Sequence, residues 1–321
     1  MHHPDLRPEP SFSHADDAGT AARGIQRLTA RTAEIGGGIS VTRLLPSRQR
    51  RTIGAWCFLD HAGPATFAPG SGLRVGPHPH TGLQTFTWML DGEILHHDSL
   101  GNEQMIRPGQ VNLMTAGRGI AHTEESPVVE TRAHAAQLWI ALPSSSADIA
   151  PAFDHYPELP CWQEHGCTFT LLAGAHGGRT SPARIYSSLI GMDLLAAQET
   201  ELALPLDPAF EYGVLPLEGM AEVEGEPLAA DELAYLAEGY NLLRLKLAAG
   251  TRVLLIGGQP FREPITLWWN FVGRDPAYIT QAQRDWETNS PRFGEVTGFD
   301  GPRLVAPRLP WQDDHTMESP D

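Results

Sequence analysis

Almost every apolar run in this chain is short and ends at a glycine, a proline or a polar turn. Glycine occurs 32 times and proline 27 times in 321 residues, as expected for many short strands joined by turns. Asp91-Gly92, Leu100-Gly101-Asn102 and Pro108-Gly109 are the clearest turns. Gln84 to Leu90 alternates threonine with apolar residues, which is the pattern of a strand. The expected fold class is all-β.

The length suits two domains of ordinary size. Residues 1–35 read as a flexible N-terminal extension, because Met1 to Thr20 is rich in Pro, Asp, Ser and His and has no apolar period. Nothing there would fix His2 and His3 as metal ligands. Ile39 to Leu45 reads as a strand and opens a first domain over 36–146, which ends at Pro143-Ser144-Ser145-Ser146. Residues 147–167 read as a linker containing Pro151, Pro157 and Pro160. A second strand-rich domain follows over 168–295, with strands expected at Phe169–Leu172, Ile185–Leu189, Tyr212–Pro216, Met220–Val223, Leu233–Leu236, Asn241–Leu247 and Arg252–Ile256. Asp275-Pro276 is a good helix start. Tyr278, Ile279, Ala282 and Trp286 continue it at helical spacing, as a short helix that packs on a barrel. Residues 296–321 read as a tail. Leu90-Asp91-Gly92-Glu93 and Leu217-Glu218-Gly219-Met220 sit at matching places in the two blocks, which suggests a duplicated barrel.

The formal net charge of −16 disfavours nucleic-acid phosphates, and Arg48-Gln49-Arg50-Arg51 is too small a basic cluster to offset it. Cys57, Cys161 and Cys167 have no disulfide or zinc spacing and read as free thiols. The polar N-terminus has no apolar h-region, and no stretch approaches the ~20 apolar residues of a membrane span. A cytoplasmic, membrane-free protein is expected.

His78-Pro79-His80 carries the sharpest chemistry. In a strand, residues i and i+2 point to one face, so both imidazoles project together. If the strand continues with its parity kept, Gly82, Gln84, Phe86, Trp88 and Leu90 share the histidine face and Thr81, Thr85 and Thr87 face outward. His122-Thr123-Glu124 repeats the arithmetic. Brought together, the two pairs supply three imidazoles and one carboxylate, a donor set that suits Fe(II), Mn, Ni, Cu or Zn. Open positions on such an ion would admit water, substrate or dioxygen. His96 reads as a strand or turn residue, and His61 as a hydrogen-bonding neighbour of Asp60. His134, His155, His165 and His176 have no partner at ligand spacing.

These segments resemble the pirin family of two-barrel cupins. The likeness begins at Val41-Thr42-Arg43-Leu44-Leu45-Pro46 and runs through Phe58-Leu59-Asp60-His61 and Pro77-His78-Pro79-His80-Thr81-Gly82. It peaks at Met114-Thr115-Ala116-Gly117-Arg118-Gly119-Ile120-Ala121-His122-Thr123-Glu124. It resumes at Arg262-Glu263-Pro264-Ile265, Trp269-Asn270-Phe271-Val272-Gly273 and Arg292-Phe293-Gly294, so that it covers about 38 to 295. The resemblance implies two stacked cupin (jelly-roll) barrels. The N-terminal barrel would hold one divalent ion, Fe(II) ahead of the alternatives, through His78, His80, His122 and Glu124. The C-terminal barrel has neither a His-x-His nor a His-x-Glu pair and is expected to be metal-free.

The activity implied is that of an iron-dependent quercetin 2,3-dioxygenase acting on a small aromatic, flavonol-like substrate and dioxygen. The flavonol 3-hydroxyl loses its proton, Glu124 serving as acceptor, and the heterocycle opens with loss of carbon monoxide. Phe86, Trp88 and Met114 are candidates to line the pocket. The alternative implied is a non-catalytic, iron-dependent redox-sensing regulator that binds transcription or metabolic proteins; a third is an oxygenase or isomerase for another small molecule. Two departures from the family pattern bear on the site. Thr81-Gly82-Leu83-Gln84 stands where the family usually has Arg-Gly-Phe-Glu, which removes an ion pair beside the ligands. Asn112 stands where cupins in general place a ligand histidine.

Overall fold

Burial along the strands tells which of them are covered once and which twice. In Thr200–Pro205 buried and exposed residues alternate without a break, as they must in a strand with one face on a core and one in water. In Leu83–Gly92 all but one of the residues are buried, so that strand is covered on both faces. A computed structural model describing residues 24–35 and 39–311 shows how. Leu83–Gly92 lies between Val111–Thr115 and Arg132–Ala141 in the middle of a seven-stranded antiparallel sheet. On one side this sheet meets a four-stranded sheet ordered Arg74–His80, Ile120–Glu125, Ile94–Asp98, Glu103–Ile106, with Met89 and Ala135 packed on Ile94 and Ile106. On the other side it meets a second seven-stranded sheet, and Phe86, Trp88 and Leu138 share a core there with Leu189, Leu215 and Leu254. A second four-stranded sheet completes the far sandwich, where Leu194, Val214 and Leu255 pack on Leu202, Val223 and Leu245. The molecule is therefore two jelly-roll sandwiches stacked in four layers. Each large apolar side chain buried fully in these cores contributes about 1.5–3 kcal/mol.

The duplicated turn is present in both halves. Gly92 (φ 82) and Gly219 (φ 74) each carry the chain from a seven-stranded sheet into the four-stranded sheet that covers it. The strands expected at Met220–Val223 and Leu233–Leu236 have those bounds. The expected Ile185–Leu189 strand is displaced and runs over Leu189–Ala196.

Strand parity through residue 82 requires correction. The chain leaves the four-stranded sheet at His80 and enters the seven-stranded sheet at Leu83, turning at Gly82 with φ 66. Parity is lost there: Phe86 and Trp88 point into the core shared with the second sandwich, while Leu83 and Met114 cluster with Trp139, which stands against His80 in the first. Two stretches read as lacking structure also carry strands. Gln26–Leu28 pairs with Leu233–Leu236 of the second sandwich, and Arg31–Ile35 pairs with Ile39–Leu45. In the expected linker, Ala152–Tyr156 adds to the first seven-stranded sheet and Cys161–Glu164 to the second. His2, His3 and the last tail residues lie outside the described residues.

The helix Pro276–Glu287 starts as expected: the Asp275 carboxylate accepts from Tyr278 N at 2.7 Å. Its buried face, Ile279, Ala282 and Trp286, packs with Phe293 and Leu309 against Ala121, on the outside of the Arg74–His80 sheet. The three cysteines are free thiols.

Candidate metal centre

Ile120–Glu125 lies between Arg74–His80 and Ile94–Asp98. Register sets His122 opposite His78 on one side and Asp98 on the other. Glu124 is opposite His96, but a bulge between His122 and Glu124 shifts it to Val75 on the other flank. Alternation then brings the rings together from adjacent strands. Ring centroids of His78 and His122 are 4.3 Å apart, and those of His80 and His122 5.0 Å.

All three imidazoles are buried. His78 Nδ1 donates to Gly76 O at 2.9 Å and His80 Nδ1 to Asn270 O at 3.0 Å. A neutral imidazole has one N–H, so both rings turn a bare Nε2 inward. His80 Nε2 faces His122 Nε2 at 3.1 Å, and one ligand atom from each of the three rings lies within 4.8 Å of the others. Burial, reinforced by neighbouring histidines, holds His80 and His122 well below the ordinary imidazole value, and burial pushes His78 down to about 4. Neutral rings converging on one point, two of them with Nε2 lone pairs turned inward, are what a divalent cation requires, so the donor set fits one.

Glu124 is not part of the 4.8 Å group. It follows His122 by two residues on the same strand and has no hydrogen-bond partner among the described residues. Burial pushes its carboxyl up to about 7. His96 is the neighbour that spacing alone left out: its Nδ1 lies 3.3 Å from His122 Nδ1. The signal was there, because His96-x-Asp98 has the same i,i+2 spacing as the other two pairs.

The opposite wall is the first seven-stranded sheet. His155, Asn112, Thr87, Gln137, Asp60 and Arg43 form one cross-strand row, each opposite the next. Their neighbours Leu113, Phe86, Leu138 and Leu59 point into the core shared with the second sandwich, so this polar row faces the histidine cluster. His155 bonds Asn112 Oδ1 at 2.7 Å, Thr87 Oγ1 donates to Gln137 Oε1 at 2.8 Å, and Arg43 grips Asp60 at 2.7 and 2.6 Å. Beside the row, Trp139 stands edge-on to His80 at 5.1 Å and stacks on Phe58 at 4.0 Å, while Phe153 stacks on His96 at 4.4 Å. Of the expected pocket residues, Met114 belongs to this side and Phe86 and Trp88 do not.

The departures fall away from the histidine cluster. Gln84 turns away and donates to Thr115 Oγ1 and Arg184 O, both at 2.9 Å, and Thr81 Oγ1 donates to Val272 O at 3.3 Å. His61 does not order Asp60. It bonds Asp231 at 2.6 Å and His134 Nε2 at 2.8 Å, and His134 reaches Glu218 at 3.1 Å. That chain ties the two sandwiches together.

Two jelly rolls with one convergent histidine cluster define a two-barrel cupin with a site able to hold a metal ion. Residues 38–140 match the family described as Pirin, and residues 191–294 match its C-terminal cupin domain. The chain belongs to the pirin family. It is 65% identical over 290 residues to a Pseudomonas aeruginosa protein provisionally named a quercetin 2,3-dioxygenase, covering 90% of this chain and 92% of that one. A Caulobacter vibrioides pirin-like protein is 37% identical, covering 81% and 92%. The crystal structure of a quercetin 2,3-dioxygenase from Acinetobacter baumannii superposes with a TM-score of 0.88 at 54% identity, covering 90% and 97%. Among the described residues, no helix is long and apolar enough to cross a membrane.

Proposed function

We propose that this protein is an iron-dependent dioxygenase that cleaves quercetin-like flavonols, with Fe(II) held by His78, His80, His122 and Glu124. The observation that carries the reading is the convergence of three buried, neutral imidazoles, with a carboxyl that has no hydrogen-bond partner among the described residues two residues after His122 on the same strand. The relatives named above favour a flavonol and dioxygen as substrates. Bound iron would supply Lewis acidity toward the flavonol oxygens and a coordination site for dioxygen.

The protein's own groups do the rest. Glu124 would accept the flavonol 3-hydroxyl proton by swinging partly from the metal, a role typically worth ~10²–10⁴ in rate. Phe58, Trp139 and Phe153 offer flat apolar walls to a planar ring system. The amide groups of Asn112 and Gln137 offer donors to its oxygens from the facing wall. The regulator reading draws on a different feature: the C-terminal segment lies on the ligand strand, with Leu304 N donating to Pro77 O at 2.8 Å, so that a change at the metal would reach a surface segment.

The test is anaerobically iron-loaded protein given quercetin and dioxygen, with loss of flavonol absorbance and release of carbon monoxide followed together. Turnover well above that of free Fe(II) is expected, with Glu124→Gln slower by ~10²–10⁴ and His122→Ala inactive. A wild-type rate no faster than free iron contradicts the dioxygenase reading. Binding of a partner protein by only the ferrous or the ferric form would then favour the regulator.

A further inference from the structure

We propose that His96 and Asp98 are positioning residues which fix the ring tautomer of His122 and so turn its Nε2 toward the metal. The inference rests on the metal-centre reading above and adds two residues to it. The Asp98 carboxylate is 1% exposed. Its Oδ1 accepts from Leu100 N at 2.9 Å, and from Asn102 N and Asn102 Nδ2 at 3.1 Å each. Its Oδ2 accepts from Asn102 Nδ2 at 2.8 Å and lies 3.2 Å from His96 Nε2. With both oxygens accepting, the carboxylate has no proton to give, so His96 Nε2–H donates to it.

With its ring proton on Nε2, His96 presents a bare Nδ1, which can only accept. The atom facing it is His122 Nδ1 at 3.3 Å, so His122 carries its proton there and leaves Nε2 bare. That places the His122 lone pair beside those of His78 and His80. His78 and His80 are oriented by backbone carbonyls, which are fixed acceptors. His122 is oriented by a side chain that accepts only because Asp98 makes it do so. The opposite His96 tautomer would turn a bare Nε2 on the Asp98 carboxylate, lone pair against lone pair. Phe153, stacked on His96 at an interplanar angle of 15°, keeps that ring in plane. Partners of this kind typically change metal affinity 10–100-fold when removed.

The experiment is Co(II) binding to the full-length metal-free protein, followed by visible absorption and by competition against a chelator. His96→Leu removes the acceptor and is expected to weaken Co(II) about 10–100-fold. His96→Gln supplies an amide oxygen to His122 Nδ1 and is expected to restore most of the affinity. Asp98→Asn is expected to weaken binding in the wild-type background and to cost little more once His96 is Gln. A filling role alone would not give that pattern. The inference is overturned if His96→Leu binds within about twofold of wild type, or if His96→Gln is as weak as His96→Leu. Should His96→Leu fail to fold by circular dichroism, equal Co(II) affinity of Asp98→Asn and wild type overturns it. Wild-type protein that takes up no Co(II) overturns the metal-centre reading itself.

Discussion

Glu124 and His78 respond to acid in opposite senses. The folded metal-free protein holds His78 down at about 4, below its ordinary 6.5. The stability its neutral ring confers is present above pH 6.5 and is lost as pH falls toward 4. Glu124 is held up at about 7, above its ordinary 4.5, so its contribution is present below pH 4.5 and is lost as pH rises through 7. A metal ion needs the carboxylate and expels that proton. Adding Co(II) to the metal-free protein at pH 6 should therefore release roughly one proton per chain, and at pH 8.5 almost none. Glu124→Gln should abolish the release at pH 6, measured by calorimetry in buffers of different ionisation enthalpy. Release that persists in the variant would remove Glu124 from the ligand set.

The shared face of the histidines was legible in the sequence where a strand stays regular, and the facing wall was not, because a strand ends before it. His78 and His80 lie on one face because two residues make one repeat, and His122 joins them through direct cross-strand register. The same arithmetic failed beyond Gly82, whose φ of 66 breaks the strand. Leu83–Gly92 is buried on both faces, so its alternation of threonine with apolar residues did not mark which face turns toward the histidines. His96-x-Asp98 was legible as spacing but not as function, because its role depends on which strand Ile120–Glu125 pairs with next. Gly82 is itself a test at this scale. A Cβ there would lie 2.2 Å from Val272 O, and the backbone strain alone costs about 1–3 kcal/mol. Gly82→Ala should lower the melting temperature and weaken metal binding together, because His80 is two residues away. Unchanged melting and affinity would show that this turn does not set the ligand geometry.

Across the molecule, each sandwich is completed by the far end of the chain. The N-terminal strand Gln26–Leu28 belongs to the second sandwich, and the C-terminal helix and the segment after it close the outside of the first. No local pattern could reveal this exchange, since each segment finds its partner roughly 200 residues away, as Gln26 does in Tyr235. The Asp231–His61–His134–Glu218 chain fastens the interface between them. Among the described residues, only the first sandwich brings a His-x-His and a His-x-Glu pair onto neighbouring strands, so one ion per chain is proposed at His78, His80, His122 and Glu124. The most direct test is the metal-to-protein ratio after anaerobic loading with Fe(II) and desalting, measured by elemental analysis. Roughly one iron per chain in the wild type, falling close to none in His78→Ala and His122→Ala variants that remain folded, is the predicted result. A ratio near zero in the wild type, or one unchanged in those variants, would contradict it.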